Sequence, residues 1–358
     1  MSRVPLAVLD LSPISEGSTA RQGLQTTIDL AQNVEKWGYR RYWVAEHHFV
    51  AVASSSPAVL IGLIAAATNK IRVGSAAVQV GHHTAAAVVE AFGTVDALYP
   101  GRIDLGLGRS GQRRAEAMAG KDEPVAPRQP TIIEGTLFPT PFRSAQLILS
   151  ERFAAAGSVL QQPGAQAPDF DNQLDDIIAL LGGKFETDNE VHLSATPGEG
   201  AQVELWLFGS SGGQSARTAG ARGLPFVANY HVSPGTTLDA IEAYRAAFTP
   251  SSVLDEPYVV VSADVLAAET DSQADHLASP FAPWVHSIRS GHGAIPYPDP
   301  RTVEALTTEQ AALVEDRIST RFVGSAATVA DKLDDGDSSN GRVPAFSGQP
   351  SPCKGCIQ

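Results

Sequence analysis

The sequence predicts an α/β fold, a (β/α)8 TIM barrel, and three observations predict it. Short runs of β-formers alternate with stretches whose apolar residues recur every three and four positions. Four such strand and helix pairs fit into about the first 110 residues, a spacing that requires crossover helices and hence parallel strands. After an interruption the rhythm resumes until seven strands are present. A doubly wound open sheet is the structural rival.

The first strand lies in VPLAVLDLSP (4–13). A helix follows Thr19, with Leu24, Ile28, Ala31, Val34 and Trp37 on one stripe, and Gly38 stops it. RRYWVAEH (40–47) is a second strand, SPAVLIGLIAAAT (56–68) a mostly apolar helix, and IRVGSAAVQV (71–80) a third strand. Val88, Phe92, Val95 and Tyr99 mark the next helix, ended by Pro100 and Gly101 before a fourth strand, RIDLGLG (102–108). Residues 112–172 break the pattern with many Pro, Gln and Gly and read as an insertion and candidate lid, helical around SAQLILSERFAAAG (144–157). Order returns with a helix carrying Leu174, Ile177, Ile178 and Leu181, then strand VELWLFGSS (203–211), helix SARTAGARG (215–223) and strand PFVANYH (225–231). A helix with Leu238, Ile241, Tyr244 and Phe248 leads to strand YVVVSADVLAA (258–268) and to helical segments over 272–290 and 302–318. An eighth strand should follow the helix SAATVADKL (325–333), but the chain there lacks β-formers, so the barrel reads as incomplete. The expected layout is a barrel over 1–334 and a disordered or aberrant tail over 335–358.

Composition narrows the function. Among 358 residues, 39 acidic against 26 basic side chains give a net charge of −13, which argues against nucleic acid. No apolar run reaches membrane-spanning length and the start lacks a secretory signal, so a cytoplasmic protein is expected. The only cysteines, Cys353 and Cys356, fall in the tail as CKGC and read as incidental.

The candidate chemistry sits at predicted strand ends, where a barrel gathers its active site. Glu46, His47 and His48 close the second strand; the bland alternative is a solvated loop. Arg102, Arg109, Arg113 and Arg114 crowd one stretch of an acidic chain, and Arg109, just past LGLG, suits an anion. Gly209, Ser210, Ser211, Gly212 and Gly213 stand between strand and helix, as a phosphate cradle or a plain helix cap would. Gly74, Ser75, Ala76 and Ala77 leave room for a flat ligand, with His82 and His83 beyond them. The adjacent histidines carry no accompanying acidic pattern, and no metal site is assigned.

GYRRYWVAEHHF, NKIRVGSAAVQV, ALYPGRIDLGLGRSG and ELWLFGSSGGQSARTAGARGLPFVANYH together resemble the bacterial luciferase-like flavin monooxygenases, in order over residues 4–333. The resemblance implies a (β/α)8 barrel, often dimeric, that takes reduced FMN from a separate NAD(P)H-dependent flavin reductase and uses O2 to oxygenate a small organic substrate. A related branch uses F420, and some relatives bind flavin without catalysis. By motif, His47 would do acid/base work, Glu46, His48 and His83 would shape the substrate pocket, and Ala76 and Ala77 would form a non-prolyl cis peptide under the flavin ring. Arg109, Ser210, Ser211 and Gly212 would hold the flavin phosphate. Gly108 stands where luciferase has a reactive cysteine, so light emission is not implied, and His82 replaces a commoner asparagine. A metal-dependent hydrolase on the same barrel is the remaining alternative, disfavoured because the first strand, VLDLSP, has no histidine.

Overall fold

The computed structural model describes residues 5–109, 128–142, 150–165 and 167–334. Strands β1 (Ala7–Asp10), β2 (Arg41–Val44), β3 (Arg72–Ser75), a two-residue β4 (Val78–Gln79) and β5 (Ile103–Gly108) alternate with helices α1 (Ala20–Lys36), α2 (Pro57–Ala67) and α3 (Ala85–Leu98). The insertion contributes an antiparallel hairpin, β6 (Thr131–Ile133) with β7 (Thr136–Phe138), and helix α4 (Glu151–Leu160). Then come α5 (Phe170–Leu181), β8 (Glu204–Gly209), α6 (Gln214–Ala221), β9 (Phe226–Ala228), α7 (Thr237–Ala247) and β10 (Val259–Val261). The main sheet runs β1-β2-β3-β5-β8-β9-β10 with β4 beside β5, and its neighbours are all parallel.

Local sequence explains the elements. Thr19 and Gln22 form a reciprocal capping box that starts α1, which buries Gly23, Thr27, Ala31 and Val34. Trp37, spaced as though it belonged to that stripe, is instead the C-terminal cap, with a side chain 66% exposed. In α3, Val88, Phe92 and Val95 are buried as their spacing predicts. They pack with Ile61 and Ile64 of α2 and with Leu105 and Leu107 of β5 in one core between sheet and helices. Each such side chain contributes roughly 1.5–3 kcal/mol of burial.

Three sequence expectations change. The run 71–80 is two strands, broken where the Ala76–Ala77 peptide is cis. The run 258–268 also breaks: Ser262 N–H still bonds Ala228 O of β9, but Asp264 O accepts from Phe322 N–H, so the chain changes partner between them. The later half, β11 (Val265–Ala268), pairs in parallel, and among the described residues only, with β12 (Phe322–Ser325), a four-residue strand that the sequence pattern did not reveal. It precedes α11 (Ala326–Asp334), whereas a strand was expected after that helix. The helical stretch 272–290 is divided at Pro280 into α8 (Asp271–Ala278) and α9 (Phe281–Arg289), and α10 (Thr308–Ser319) starts at the Thr307 and Gln310 capping box.

Among the described residues, β1 and β10 have no further strand partner, so the sheet curls without closing. The expected tail with its CKGC, and Arg113 and Arg114, lie outside the described residues.

Alternate residues of each strand point into the curl. At the amino end, Arg41 reaches Asp104 at 2.7 Å and Glu204 at 2.8 Å, while Arg72 reaches the same two carboxylates at 2.7 and 3.2 Å. Above this charged floor lies an aromatic layer: Trp43 meets Trp206 and Phe208 edge-on at 5.2 and 5.5 Å, and Tyr258 meets Trp206 at 5.8 Å. Glycine makes room for it, because a Cβ at Gly106 would lie 2.6 Å from the Phe208 ring and 2.0 Å from Ser75 O. With the floor filled, the carboxyl-end rim is the side on which a ligand can enter.

Candidate active site at the carboxyl-end rim

Parallel pairing brings the expected groups to one edge. His47 follows β2, Ala76 and Ala77 follow β3, Arg109 follows β5 and Ser210–Gly212 follow β8, on four strands adjacent in the sheet. The order is set by register, since Trp43 lies opposite Gly74, Gly74 opposite Asp104, and Asp104 opposite Glu204.

Glu46 is the anchor of the histidine cluster, with a fully buried side chain. Its Oε1 accepts from His48 Nε2 at 2.8 Å and His83 Nε2 at 2.9 Å, and its Oε2 accepts the Gln79 N–H at 2.9 Å. Gln79 also donates its side-chain amide to Glu46 O at 2.6 Å. Burial alone would raise the Glu46 carboxyl, but hydrogen bonds from His83, His48 and the Gln79 amide hold it below the usual carboxylate range. The same bond raises His83 above the ordinary histidine value, against the effect of burial. An ionised carboxylate can only accept, so both rings present Nε2–H to it.

His47, between these clamped neighbours, is different. Its backbone N–H is tied to Ser54 O at 2.9 Å, but no hydrogen bond of its ring is present among the described residues. The ring is reached by solvent yet surrounded by enough protein that desolvation lowers its pKa, with His48 pushing the same way and Glu46 opposing. The residue is exposed, and the lowered pKa keeps its imidazole neutral. His82 is also lowered, first by burial, and its ring meets His48 edge-on at 6.4 Å.

Arg109 and the Gly/Ser turn face each other. A Cβ at Gly213 would sit 3.3 Å from Ser211 Oγ and 3.9 Å from an Arg109 guanidinium nitrogen, so the missing side chain leaves a cradle between them. Gly213 starts α6 without a side-chain cap, which leaves first-turn N–H groups for an anion. Asn229, just past β9, donates its N–H to Gly209 O while its Oδ1 is a buried acceptor with no partner among the described residues. Ala76 and Ala77 pack on Trp43, Trp206 and Phe208, and a Cβ at Gly108 would lie 3.3 Å from that of Ala77. These features fit a flat ring carrying a phosphate. Arg102 does not join them, since its guanidinium binds Ala65 O, Thr68 and Ile71 O.

The insertion reaches the same rim. Arg152 donates to Phe49 O, and Gln161 donates to Gly81 O at 3.0 Å. Gln79, Asn229, His231 and Ser262 were missed by the sequence reading. Strand alternation was the signal available for Asn229, in step with Val227 of β9, and for Ser262, in step with Val260 of β10, whereas His231 lies in the turn after β9 and offered none.

The model of the luciferase-like monooxygenase family matches residues 4–131 and 174–341. Among curated relatives, an uncharacterized Bacillus subtilis protein, YvbT, is 38% identical over 92% of this chain and 86% of its own. The luciferase-like monooxygenase of Escherichia coli K12 is 32% identical over 91% and 85%. The solved structure of apo-MsnO8 is 28% identical with a TM-score of 0.69, covering 94% of this chain and 90% of that one. Two more distant structures share the fold. The oxygenating constituent of 3,6-diketocamphane monooxygenase from Pseudomonas putida, in complex with FMN, has 18% identity, a TM-score of 0.56 and coverage of 93% and 87%. An F420-dependent secondary alcohol dehydrogenase has 14% identity, a TM-score of 0.53 and coverage of 93% and 89%. The chain belongs to the luciferase-like monooxygenase family.

Proposed function

We propose that this protein is a cytoplasmic, homodimeric FMN-dependent monooxygenase that receives reduced FMN from a separate NAD(P)H-dependent reductase and oxygenates a small organic molecule with O2. One observation carries the reading: an anion cradle, a small-residue bed and an unclamped neutral imidazole stand on adjacent parallel strands at one rim. Bound there, the reduced flavin supplies the electrons that activate oxygen.

The chain's own groups do the rest. Arg109 and the Ser210, Ser211, Gly212 turn bind the phosphate, and the first N–H groups of α6 add to them. Ala76 and Ala77, backed by the Trp43, Trp206 and Phe208 rings, support the flat ring without competing for its space. The His47 ring, lowered in pKa by burial and then by His48, takes a proton at a nitrogen that no described residue occupies and returns it. Glu46 fixes His48 and His83 so that the pocket wall does not shift with protonation of His47. The insertion, hydrogen-bonded to residues 49 and 81, shields the site from water.

Among the described residues the edges of β1 and β10 are not joined, which favours a second reading, a flavin-binding protein without turnover, and F420 is the alternative cofactor. Titration of the purified protein with FMN, FMNH2 and F420, followed by O2 consumption with candidate substrates, separates these readings. The monooxygenase reading expects FMNH2 binding and substrate-dependent O2 uptake, with His47→Ala cutting turnover by about 10²-fold or more while flavin still binds. FMN bound with oxygen reactivity no greater than free flavin would establish the second reading, and preference for F420 would replace the cofactor.

A further inference from the structure

Gln173 is a buried polar side chain, 2% exposed, on helix α5, and the proposed function gives it no part. Its amide nitrogen lies 2.8 Å from Val80 O and 2.7 Å from His83 O. Both partners are carbonyl oxygens, which only accept, so the nitrogen is the amide atom that faces them and each of its two hydrogens has a carbonyl. These carbonyls bound the single turn Val80–His82 that leads from β4 to His83, and His83 N–H closes that turn on Val80 O at 3.0 Å.

The turn links the sheet to the histidine cluster. Before it, Gln79 ends β4 and is fastened to Glu46 by its N–H and its side-chain amide. After it, His83 Nε2 meets Glu46 Oε1 at 2.9 Å, the oxygen that also holds His48. Beyond β4 the chain has left the sheet, so the His83 backbone is fixed by its own turn and by Gln173. The helix from which Gln173 reaches is itself anchored. Asp169 caps α5 through the N–H groups of Asp171 at 2.9 Å and Asn172 at 3.2 Å. The Asp171 carboxylate accepts from Thr218 of α6 and from Arg222 just beyond it, both at 2.7 Å.

We propose that Gln173 is a positioning residue: by holding the carbonyls of Val80 and His83 it places the His83 ring against Glu46, and so sets the pocket wall beside His47. The step from that wall to turnover rests on the monooxygenase reading, whereas the placement of His83 stands on geometry without flavin. A packing role alone would be met by an apolar side chain of the same length and would leave the His83 ring where it is.

Gln173→Met separates the two roles, since it keeps an unbranched side chain of similar length and removes both donors. Glu46 is the carboxylate that keeps a proton on His83, so the midpoint of the His83 ring reports their contact; His48 and His82 are the other titratable side chains of the cluster. Histidine-selective ¹⁵N NMR of the protein without flavin reads it, with the signal assigned by its loss in His83→Gln. His83 should titrate at lower pH in Gln173→Met than in the wild type, while histidines outside the cluster keep their midpoints. An unchanged His83 midpoint in a variant that still folds, checked by urea unfolding, overturns the proposal. If Gln173→Met does not fold, Gln173→Asn, which draws the donor back by one methylene, is judged by the same signal. In the loaded protein, FMN affinity should stay within about twofold of the wild type, while substrate-dependent O2 uptake at saturating FMNH2 falls about fivefold to tenfold. Equal losses of FMN affinity and turnover would make Gln173 a general scaffold residue and overturn the proposal. Absence of FMN binding in the wild type would sink the flavin reading and leave the His83 signal to judge Gln173.

Discussion

At the amino end of the curled sheet, Arg41 and Arg72 share Asp104 and Glu204, and Asp104 also accepts the Trp43 Nε1–H at 2.8 Å. At the carboxyl end of the same strands, polar groups are held from one side only. His47 is tied by its backbone, His231 by Nδ1, and Asn229 by its N–H, each leaving a ring nitrogen or an oxygen with no hydrogen bond among the described residues. The alternation that aims residues inward is common to both ends, so direction does not separate them. Satisfaction does. A charge paired with its neighbours has spent its interaction on the fold, whereas a group oriented by one bond and open at another can still act on a ligand.

The sharpest way to break that contrast is at the floor. Asp104→Ala removes the buried carboxylate shared by two partly exposed guanidinium groups and a buried indole, leaving the indole N–H without its acceptor and both guanidinium groups with Glu204 as their one carboxylate among the described residues. A loss of about 3–5 kcal/mol in urea-induced unfolding is expected. A loss under about 1 kcal/mol would mean that the floor is not structural, and the division between the two ends would fail. The matching change at the rim is Gly213→Val, which fills the space beside Ser211 Oγ and Arg109. Calorimetric titration should show FMN affinity reduced tenfold or more, as should Arg109→Ala, each removing about 1.5–3 kcal/mol of charge-assisted contact. Unfolding should change little in either variant. If stability falls as much as binding, the rim too is part of the scaffold.

Glu46 blurs the contrast, because it is fully paired and yet sits at the rim. Its lowered carboxyl contributes stability above the unfolded value near 4.3, and that contribution is lost as pH falls through the folded value. Raised His83 contributes fully below about 6.5, and its share is lost as pH rises through its higher folded value. The clamp is therefore complete between about pH 4.3 and 6.5 and weakens on both sides. Glu46→Gln should flatten both arms of the wild-type stability profile, measured by unfolding from pH 4 to 9. The alkaline arm should be under about 1 kcal/mol, since His83 is partly exposed and solvent screens the pair. An unchanged profile would show that Glu46 positions the pocket without an electrostatic clamp.

Much of this was legible in the chain because hydrophobic period and strand ends are local properties. Val88, Phe92 and Val95 announce their helix, and RYWV ending in Glu46 and His47 announces a rim. What stayed hidden depends on partners distant in sequence. Val265–Ala268 looks continuous with Val259–Val261 until Phe322 supplies a different neighbour, 58 residues on from Asp264. His231 looks like the end of a buried strand until Ser262 fixes its ring, and Gln79 looks like a strand residue until Glu46 closes around it. Spacing shows which way a side chain points, but not what waits there.

Trp37 is the smallest and plainest instance. It extends the three-and-four spacing of Ala31 and Val34, and by sequence it would anchor the first helix in the core. The helix ends at Lys36, however, and Trp37 keeps only its backbone role, its N–H reaching Asn33 O and the next N–H, of Gly38, reaching Glu35 O, while Trp37 is 66% exposed. Trp37→Ala leaves those bonds in place and removes a side chain that buries little, so stability should change by no more than about 0.5 kcal/mol. Phe92→Ala, at a position 2% exposed in the same core, should cost about 3–5 kcal/mol. A large loss for Trp37→Ala that grows with protein concentration would place the ring under a second copy of the chain. The exposed end of α1 would then count as an interface, and solvent would not be its partner.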